Sequence, residues 1–360
     1  MKPVAKEHTT AAGKFQRLLD YLGKIGLDAT ALAHQAGLNR ADIEAKDSNE
    51  QLPSFRYSRL YETAAQEMQR MDMALPWGAG IGTDMFSFMC YSIITCTSLR
   101  EALHRAARFE RMMYPQTGHR IELHEDRGVA QVRYLINSDA ANRTYAPDEW
   151  DRTQYLDTVA KASGLRIWYV FMGWLIGRNI ELESVSMSAP PITETYADSL
   201  RALFQVEPVF DAQQTALTFS AGQLDFRIVH SPESLDEFLE NAVYTLIVQD
   251  SHPASTGAAI KSLLAKTRDG APPTFEAMAD ILHLSPSSLR RRLQKEGTSY
   301  QELKDRYRSD LAMRYLRDDQ LKIHEIGEML GFLEPSSFIR SFRGWTGMTP
   351  RQFRDQASAP

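Results

Sequence analysis

The C-terminal third of the chain contains a short sequence unit that occurs twice. Residues 287–293 read SSLRRRL, and residues 336–342 read SSFIRSF, 49 positions further on. In both copies a short apolar-patterned segment ends, a tight turn follows and a new helix starts at Pro-Ser-Ser, provided that the second turn is one residue longer. Two helices joined by a tight turn form the helix-turn-helix layout. The repeat therefore predicts a compact all-α domain built from two such units.

Helix start and stop signals delimit these units. Ser285 and Pro286 are typical of an N-cap followed by a first helical residue, and Gly297 stands just past the end of that helix. Ser299 and Glu302 have the spacing of a capping box, which opens the next helix. The predicted elements are helix-turn-helix units at 275–296 and 323–346 and a connecting helix at 299–316.

The side chains of the three consecutive arginines of the first unit are expected to point in different directions from the helix axis. At about 100° per residue, Leu289 and Leu293 share one buried stripe, and Arg291 points away from it. Residues that face outward are expected to read bases, and their neighbours are expected to hold the DNA backbone. We therefore assign base reading to Ser287 and Arg291, and phosphate contacts to Arg290, Arg292 and Lys295.

The second unit repeats this arrangement with fewer charges. Phe338 and Phe342 form the buried pair, and Arg340 takes the outward position. An isoleucine replaces one flanking arginine and can touch a thymine methyl group. The predicted base-reading residues here are Ser336, Ile339 and Arg340, and Arg343 is the predicted phosphate contact.

A run of three arginines is more often a solvated helix face than a reader of DNA. Two units with the same caps, the same apolar pair and the same outward arginine reverse that preference. A helix over 299–316 would be about 25 Å long, and such a spacer could set the two recognition helices about one DNA turn, roughly 34 Å, apart.

The charge distribution agrees with this division. The 106 residues from 255 onward carry 17 Lys and Arg against 13 Asp and Glu, whereas the preceding part carries 24 against 33. The main boundary falls at the Ser-, Pro- and Gly-rich linker 251–257, which leaves domains at 1–250 and 258–356. The first domain mixes helical spacing, as in TSLREALHRAARFERMM, with a β-hairpin pattern around Asp126–Gly128 and further short strands near 182–188 and 217–219. The fold class is thus an α+β N-terminal domain followed by an all-α C-terminal domain.

The stretch IGEMLGFLEPSSFIRSFRGWTGMTPRQFR closely resembles the C-terminal signature of AraC-type transcriptional regulators of bacteria. The resemblance covers about residues 258–356. The signature positions are filled by Ile326, Gly331, Phe332, Ser336, Phe338, Arg340, Phe342, Gly347, Thr349, Pro350 and Arg354. The resemblance implies a sequence-specific regulator that contacts two adjacent major-groove segments of promoter double-stranded DNA and usually activates transcription with RNA polymerase.

The N-terminal part resembles the effector-binding and dimerisation domain of the ornithine-utilisation-regulator-like subgroup. TSLREALHRAARF and the stretch from APPITETYADSL to FSAGQL carry this similarity. It implies a homodimer that responds to a small organic effector, whose identity does not carry over because MFSFMCYSIITC replaces expected glycines with bulkier residues. An amphipathic or aromatic metabolite is favoured over a sugar. The candidate pocket residues are Phe86, Phe88, Cys90, Tyr91 and Tyr134.

Other chemistry has little support in the sequence. Cys90 and Cys96 form no CxxC pair and are expected to be small core residues of a reduced, cytoplasmic protein, a redox-sensing thiol being the minority alternative. The apolar run 167–177 is too short for a membrane span and predicts a buried helix or strand. No catalytic, metal or cofactor constellation is visible. Two alternatives to a regulator stay open: an Ada-like DNA-repair methyl acceptor, which would need a cysteine cluster, and a non-specific architectural DNA-binding protein.

Overall fold

The computed structural model describes residues 9–71, 80–136, 156–248, 256–266, 272–317 and 321–357. The chain divides into two compact units. One unit comprises Met1–Leu175, Asn179–Ile228 and Pro232–Pro253, and the other comprises Ile176–Arg178, Val229–Ser231 and Ala254–Pro360.

The N-terminal unit combines helices with a mixed sheet, as the predicted α+β class requires. Its helices are α1 (Ala12–Lys24), α2 (Ala29–Gln35), α3 (Arg40–Glu44), α4 (Ser54–Arg70), α5 (Asp84–Ile93), α6 (Leu99–Thr117), α7 (Leu156–Ile176), α8 (Glu194–Phe204) and α9 (Pro232–Glu240). The predicted amphipathic helix is α6. It starts at the N-cap Ser98, whose hydroxyl accepts a hydrogen bond from the Glu101 N–H, and it ends at Gly118, where φ is 69°.

Five strands form the main sheet in the order β3-β4-β7-β5-β6. They are β3 (His119–Asp126), β4 (Val129–Ile136), β5 (Leu182–Ser186), β6 (Pro208–Val209) and β7 (Ala216–Ser220), and a separate pair is formed by β1 (Thr9–Ala11) and β2 (Gln51–Pro53). The predicted hairpin is confirmed: β3 and β4 pair antiparallel across Arg127 and Gly128, which have φ values of 47° and 84°. Two positive φ angles are what a two-residue hairpin turn with the twist of its strands requires.

The apolar run is a buried helix. Residues 167–176 lie in α7, and its side chains Trp168, Phe171, Met172 and Leu175 are almost inaccessible to solvent. Gly164 on the same helix admits the ring of Tyr134 from the sheet, because a Cβ there would lie 2.2 Å from that ring. Among the described helices, none combines the length and the apolar character needed to cross a membrane.

From position 256 onward the C-terminal unit is helical, and its described helices are α10 (Thr256–Lys266), α11 (Phe275–Ile281), α12 (Pro286–Lys295), α13 (Tyr300–Leu316), α14 (Ile323–Met329), α15 (Pro335–Thr346) and α16 (Pro350–Ala357). The proposed linker 251–257 lies outside the described residues as far as position 255. The structure corrects the predicted linker at its last two residues, because Thr256 and Gly257 already belong to α10. Their backbone N–H groups donate to the two carboxylate oxygens of Glu296 at 2.7 and 2.9 Å, so a side chain from the end of α12 caps this helix.

Helix α13 joins two separate hydrophobic cores. Its first turns contribute Tyr300 and Leu303 to the core around α11 and α12. Its last turns contribute Ala312 and Leu316 to the core around α14 and α15. Because one continuous helix is anchored at both ends, the two helix-turn-helix units are held at a fixed separation along it.

Candidate DNA-binding surface and effector pocket

The turns of the two units are built by the same backbone hydrogen bonds. In the first unit the Leu284 N–H donates to the Ala279 carbonyl at 2.9 Å. In the second, 48 residues later, the Phe332 N–H donates to the Gly327 carbonyl at 3.0 Å. The sequence repeat therefore corresponds to a repeat of backbone geometry.

The recognition helices follow at an offset of 49, so the second turn has one extra residue, as the alignment of the two copies predicts. The first recognition helix starts at the N-cap Ser285, whose Oγ accepts from the Ser288 N–H at 3.2 Å. The second starts after Glu334, which makes no side-chain cap. Both helices have proline as their first residue. The extra residue is Leu333, whose side chain is fully exposed.

Close packing holds each recognition helix against its partner. Leu289 and Leu293 are buried in the first unit, and Phe338 and Phe342 are buried in the second, as the helical phase predicts. A Cβ at Gly327 would lie 3.2 Å from the Cβ of Phe338, so the small residue allows α14 and α15 to approach closely.

In the first recognition helix the predicted outward residues are exposed. Arg291 is exposed and makes no hydrogen bond or ion pair with another described residue, and Ser287 lies beside it with its Oγ 3.0 Å from that of Ser285. Lys295 is also exposed. The neighbouring arginines differ from Arg291: the Arg290 guanidinium lies 5.4 Å from the centre of the Phe275 ring, and Arg292 is only half-exposed and has a partner within the chain. Of the three arginines, Arg291 is thus the one without an intramolecular hydrogen bond, ion pair or ring contact among the described residues, whereas Arg290 and Arg292 each interact with another part of the chain.

The second recognition helix also presents its predicted residues. Arg340 and Arg343 are exposed, and Ile339 is 39% exposed, which is unusual for isoleucine. Ser336 is exposed, and its hydroxyl donates to Glu334 at 3.4 Å. All the predicted DNA contacts are therefore exposed side chains except Arg292, which is half-exposed.

A contact that the sequence pattern did not reveal fixes the second turn. The guanidinium of Arg308, on α13, lies 4.9 Å from the centre of the Phe332 ring. Partial burial lowers the pKa of Arg308. A cation over an aromatic face is attractive, so Arg308 ties the turn to the connecting helix.

The connecting helix starts with the predicted capping box, in which Ser299 Oγ accepts from the Glu302 N–H at 3.2 Å and Glu302 accepts from the Ser299 N–H at 3.0 Å.

Two helix-turn-helix units on one frame, each with an exposed arginine on its recognition helix, define a DNA-binding transcription regulator. The comparisons with known proteins agree. Residues 26–228 match the arabinose-binding domain of AraC transcription regulators, N-terminal part, and residues 278–356 match a helix-turn-helix domain. The chain belongs to the AraC family of transcription regulators, with an N-terminal ligand-binding domain and a C-terminal DNA-binding domain.

Individual relatives match the chain over nearly its whole length or over a part of it. The chain is 26% identical over 342 residues to the ornithine utilization regulator of Pseudomonas aeruginosa, covering 94% of both chains, which confirms the resemblance to that subgroup. The regulator VirS of Mycobacterium tuberculosis is 46% identical over 79 residues, or 22% of this chain and 23% of its own. Among solved structures, the transcriptional regulator CdpR from Pseudomonas aeruginosa matches 95% of this chain and 98% of its own at 20% identity, with a TM-score of 0.31.

The five candidate effector residues are not brought together. Phe86 and Cys90 point into the core from α5, whereas Phe88 is 66% exposed on the same helix. Tyr91 is also exposed, and its hydroxyl donates to Asp236 at 2.5 Å. Tyr134 is buried against α7, where the absence of a side chain at Gly164 leaves room for its ring. These residues therefore do not line one pocket.

A cavity of about 570 Å³ lies elsewhere in the N-terminal unit, and Phe86 is the only one of the five predicted residues that lines it. Its walls come from α4, from the start of α5 and from the end of α9. No periodicity in the sequence marks this set, because its members are separated by up to 181 positions and meet only in the folded chain.

Both cysteines are buried and free. Burial raises the pKa of Cys90 well above its usual range and that of Cys96 to about 11. A thiol that stays protonated is a poor nucleophile. This agrees with the interpretation of both residues as small core side chains.

Proposed function

We propose that this protein is an effector-responsive transcription activator that binds promoter DNA as a homodimer. Each protomer inserts α12 and α15 into two adjacent major-groove segments. Residues 1–250 bind the effector and dimerise, and residues 258–356 bind DNA. RNA polymerase is the partner that the activator recruits, and the protein acts in the cytoplasm, where promoter DNA lies.

The equivalent turns of the two units, joined by one anchored helix, are the observation that carries this proposal. Helix α13 has 17 residues, and at about 1.5 Å per residue it is roughly 25 Å long. A spacer of this length suits two recognition helices that enter the groove about one turn, or roughly 34 Å, apart. In this arrangement Arg291 and Arg340 reach base edges with the support of Ser287, Ser336 and Ile339.

Phosphate contacts in this proposal come from Arg290, Arg292, Lys295 and Arg343. The Arg290 guanidinium lies over the Phe275 ring at the surface of the helix, where it can still contact a phosphate. Each phosphate contact contributes about −0.9 to the slope of log K against log salt concentration. With four to eight contacts we expect a slope of roughly −4 to −7.

Selection of binding sites from a random DNA pool, followed by footprinting, tests this function. We expect a defined motif with two protected patches about one helical turn apart. Uniform protection of all sequences would instead support the architectural alternative. Sedimentation of the full chain tests dimerisation, which a purely monomeric species at micromolar concentration would contradict.

The Ada-like alternative receives less support. It needs a cluster of cysteines for zinc and for methyl transfer, and the sequence contains two cysteines, both of them buried. We therefore propose a regulator without catalytic activity. Incubation with methylated DNA, followed by mass spectrometry of the protein, would detect methyl transfer to either thiol.

A further inference from the structure

The cavity in the N-terminal unit has the size of a small-molecule site. Its volume of about 570 Å³ lies within the roughly 300–1,000 Å³ that such sites occupy. Three segments that are distant in sequence form its walls: α4 with Glu62 and Arg70, the start of α5 with Asp84, and the end of α9 with Glu240.

The charges around this cavity are unbalanced. Glu62, Asp84 and Glu240 each come from a different wall, and among the described lining residues Arg70 is the one basic side chain. The Arg70 guanidinium is already committed to Glu67, outside the lining, with Nε donating to Oε2 at 2.8 Å. The positive charge of Arg70 is thus partly neutralised by a fourth carboxylate, that of Glu67.

Glu62 has no hydrogen bond or ion pair among the described residues, and its side chain is half-buried. Burial raises the pKa of this carboxyl to about 7, although the charge of Arg59 acts in the opposite direction. A carboxylate that loses its hydrating water without gaining a counterion is destabilised in its charged form. A bound cation would supply the missing counterion.

The remaining lining suits a short carbon chain with polar ends. Phe86, Ala242 and Val243 supply apolar surface. The side-chain amide of Gln69 donates to Asp84 at 3.1 Å and accepts from the Asp84 N–H at 3.2 Å, so this carboxylate is held in place. Fixed polar groups at the edge of an apolar surface are what orients a small ligand.

We propose that this cavity is the effector site of the N-terminal domain and that its ligand is a small organic ammonium ion, with Glu62, Asp84 and Glu240 as its charge partners. The proposal rests on the proposed function, because it assigns the effector of the same regulator. It differs from the aromatic or amphipathic metabolite expected from the sequence, since the walls found in the folded chain are acidic.

Calorimetric titration of the full chain with 1,4-diaminobutane and with n-butylamine tests this assignment. Butyrate, succinate and L-arabinose serve as anionic and neutral probes. We expect saturable binding of at least one amine and none of the acids or the sugar. Failure of both amines to bind more tightly than about 10 mM, or preferential binding of arabinose or an acid, would overturn the proposal.

Substitutions locate the binding. Glu62→Gln, Asp84→Asn and Glu240→Gln keep side-chain shape and remove one charge each, and we expect each to weaken amine binding about fivefold or more. Glu237→Gln is the matched control, because Glu237 is exposed on α9 and lies outside the cavity lining. Equal loss in Glu237→Gln would show a general charge effect and contradict the site. Thermal unfolding of each variant verifies that it is folded.

The pH dependence gives a second readout. Among the described residues, the charged groups that act on Glu62 or line the cavity with it are Arg59, Arg70, Asp84 and Glu240. Arginine, aspartate and glutamate side chains do not ordinarily titrate between pH 6 and pH 8. Amine binding should therefore tighten as Glu62 ionises between pH 6 and pH 8, and this dependence should vanish in Glu62→Gln. An unchanged pH profile in that variant would remove Glu62 from the site.

DNA-site selection on the same preparations separates the proposed amine site from the proposed regulator function. A specific motif without amine binding refutes only the amine site, and amine binding without a motif refutes only the regulator function.

Discussion

His283 and Gly331 occupy the same position in the two helix-turn-helix turns, and both have a positive φ, 51° and 77° respectively. The His283 N–H donates to the Asp280 carbonyl at 3.0 Å, and the Gly331 N–H donates to the Glu328 carbonyl at 2.9 Å. The left-handed conformation costs an L-amino acid roughly 1–2 kcal/mol, whereas glycine adopts it freely. The first turn therefore carries a backbone cost that the second avoids.

Gly331→Ala should destabilise the second unit by about 1 kcal/mol, because it forces a Cβ into the left-handed region. His283→Gly should leave the first unit at least as stable as before. Hydrogen exchange of the amides in α14 and α15, read separately from those in α11 and α12, measures both effects. Equal exchange rates in Gly331→Ala and the wild type would show that the turn relaxes to another conformation.

Arg291→Ala should cost about 1–3 kcal/mol on the selected DNA site and relax the preference at one base position, since Arg291 is the exposed and unengaged arginine. Arg290→Ala and Arg292→Ala should weaken all sequences about equally and reduce the salt slope by about one each. Binding to a complete set of single-base variants of the site distinguishes the two patterns. Identical profiles for the three variants would refute the assigned roles.

Arg340→Ala should resemble Arg291→Ala but change the preference about one helical turn away on the DNA. Arg343→Ala on the same helix is the phosphate control, and it should alter affinity without altering preference. The same set of site variants measures this. If Arg340→Ala affects the bases already assigned to Arg291, the two helices do not read separate segments.

Gly164→Ala should destabilise the N-terminal unit by about 1–3 kcal/mol or more, because the new Cβ would meet the Tyr134 ring at 2.2 Å. Removing that ring in the double variant Gly164→Ala, Tyr134→Val should recover part of the loss. Gly222→Ala is a suitable control, since its Cβ would find only an ordinary contact, 3.7 Å from Ser220 Oγ. Thermal unfolding compares the three, and an unchanged Gly164→Ala would contradict the close packing of α7 on the sheet.

Glu110 and His119 form a buried pair whose nearest atoms, Oε1 and Nδ1, are 3.9 Å apart. Burial raises the pKa of Glu110 to about 8, although the hydrogen bond from the Ile121 N–H acts against this, and burial lowers the pKa of His119 to about 4. The contribution of Glu110 to stability is present below its unfolded pKa and is lost as pH rises through 8. That of His119 is lost only as pH falls from about 6.5 towards 4. Between pH 6.5 and 8 only the Glu110 contribution changes, so the pair makes the fold less stable as pH rises.

We expect Glu110→Gln to remove this decrease, which amounts to about 2 kcal/mol over that range. The glutamine carbonyl can still accept the hydrogen bond that Glu110 Oε2 accepts from the Ile121 N–H at 2.6 Å. Urea unfolding of wild type and variant at pH 6.5 and pH 8 provides the comparison. Parallel changes in the two proteins would show that Glu110 does not titrate in this window.

Much of the fold follows from local patterns, which explains why the sequence predicted it. The burial of Leu289 and Phe338 and the exposure of Arg291 and Arg340 depend only on the rotation per residue of a helix. The hairpin at Arg127-Gly128 depends on alternation and on a turn that glycine favours. The two-residue strand β6, by contrast, has too few residues to carry a pattern, and its pairing with β5 is set by the fold.

The sequence by itself determined the candidate DNA-binding surface, because turns and helical phase are encoded within about fifteen neighbouring residues and occur in both units. Only the tertiary structure decided which residues line the proposed effector pocket. Phe88 and Cys90 are two positions apart yet end on opposite sides of α5, one exposed and one buried. Glu62, Asp84 and Glu240 share a cavity only because α4, α5 and α9 pack together. Spacing along one helix is a local property of the chain, whereas the walls of a cavity depend on which distant segments fold against each other.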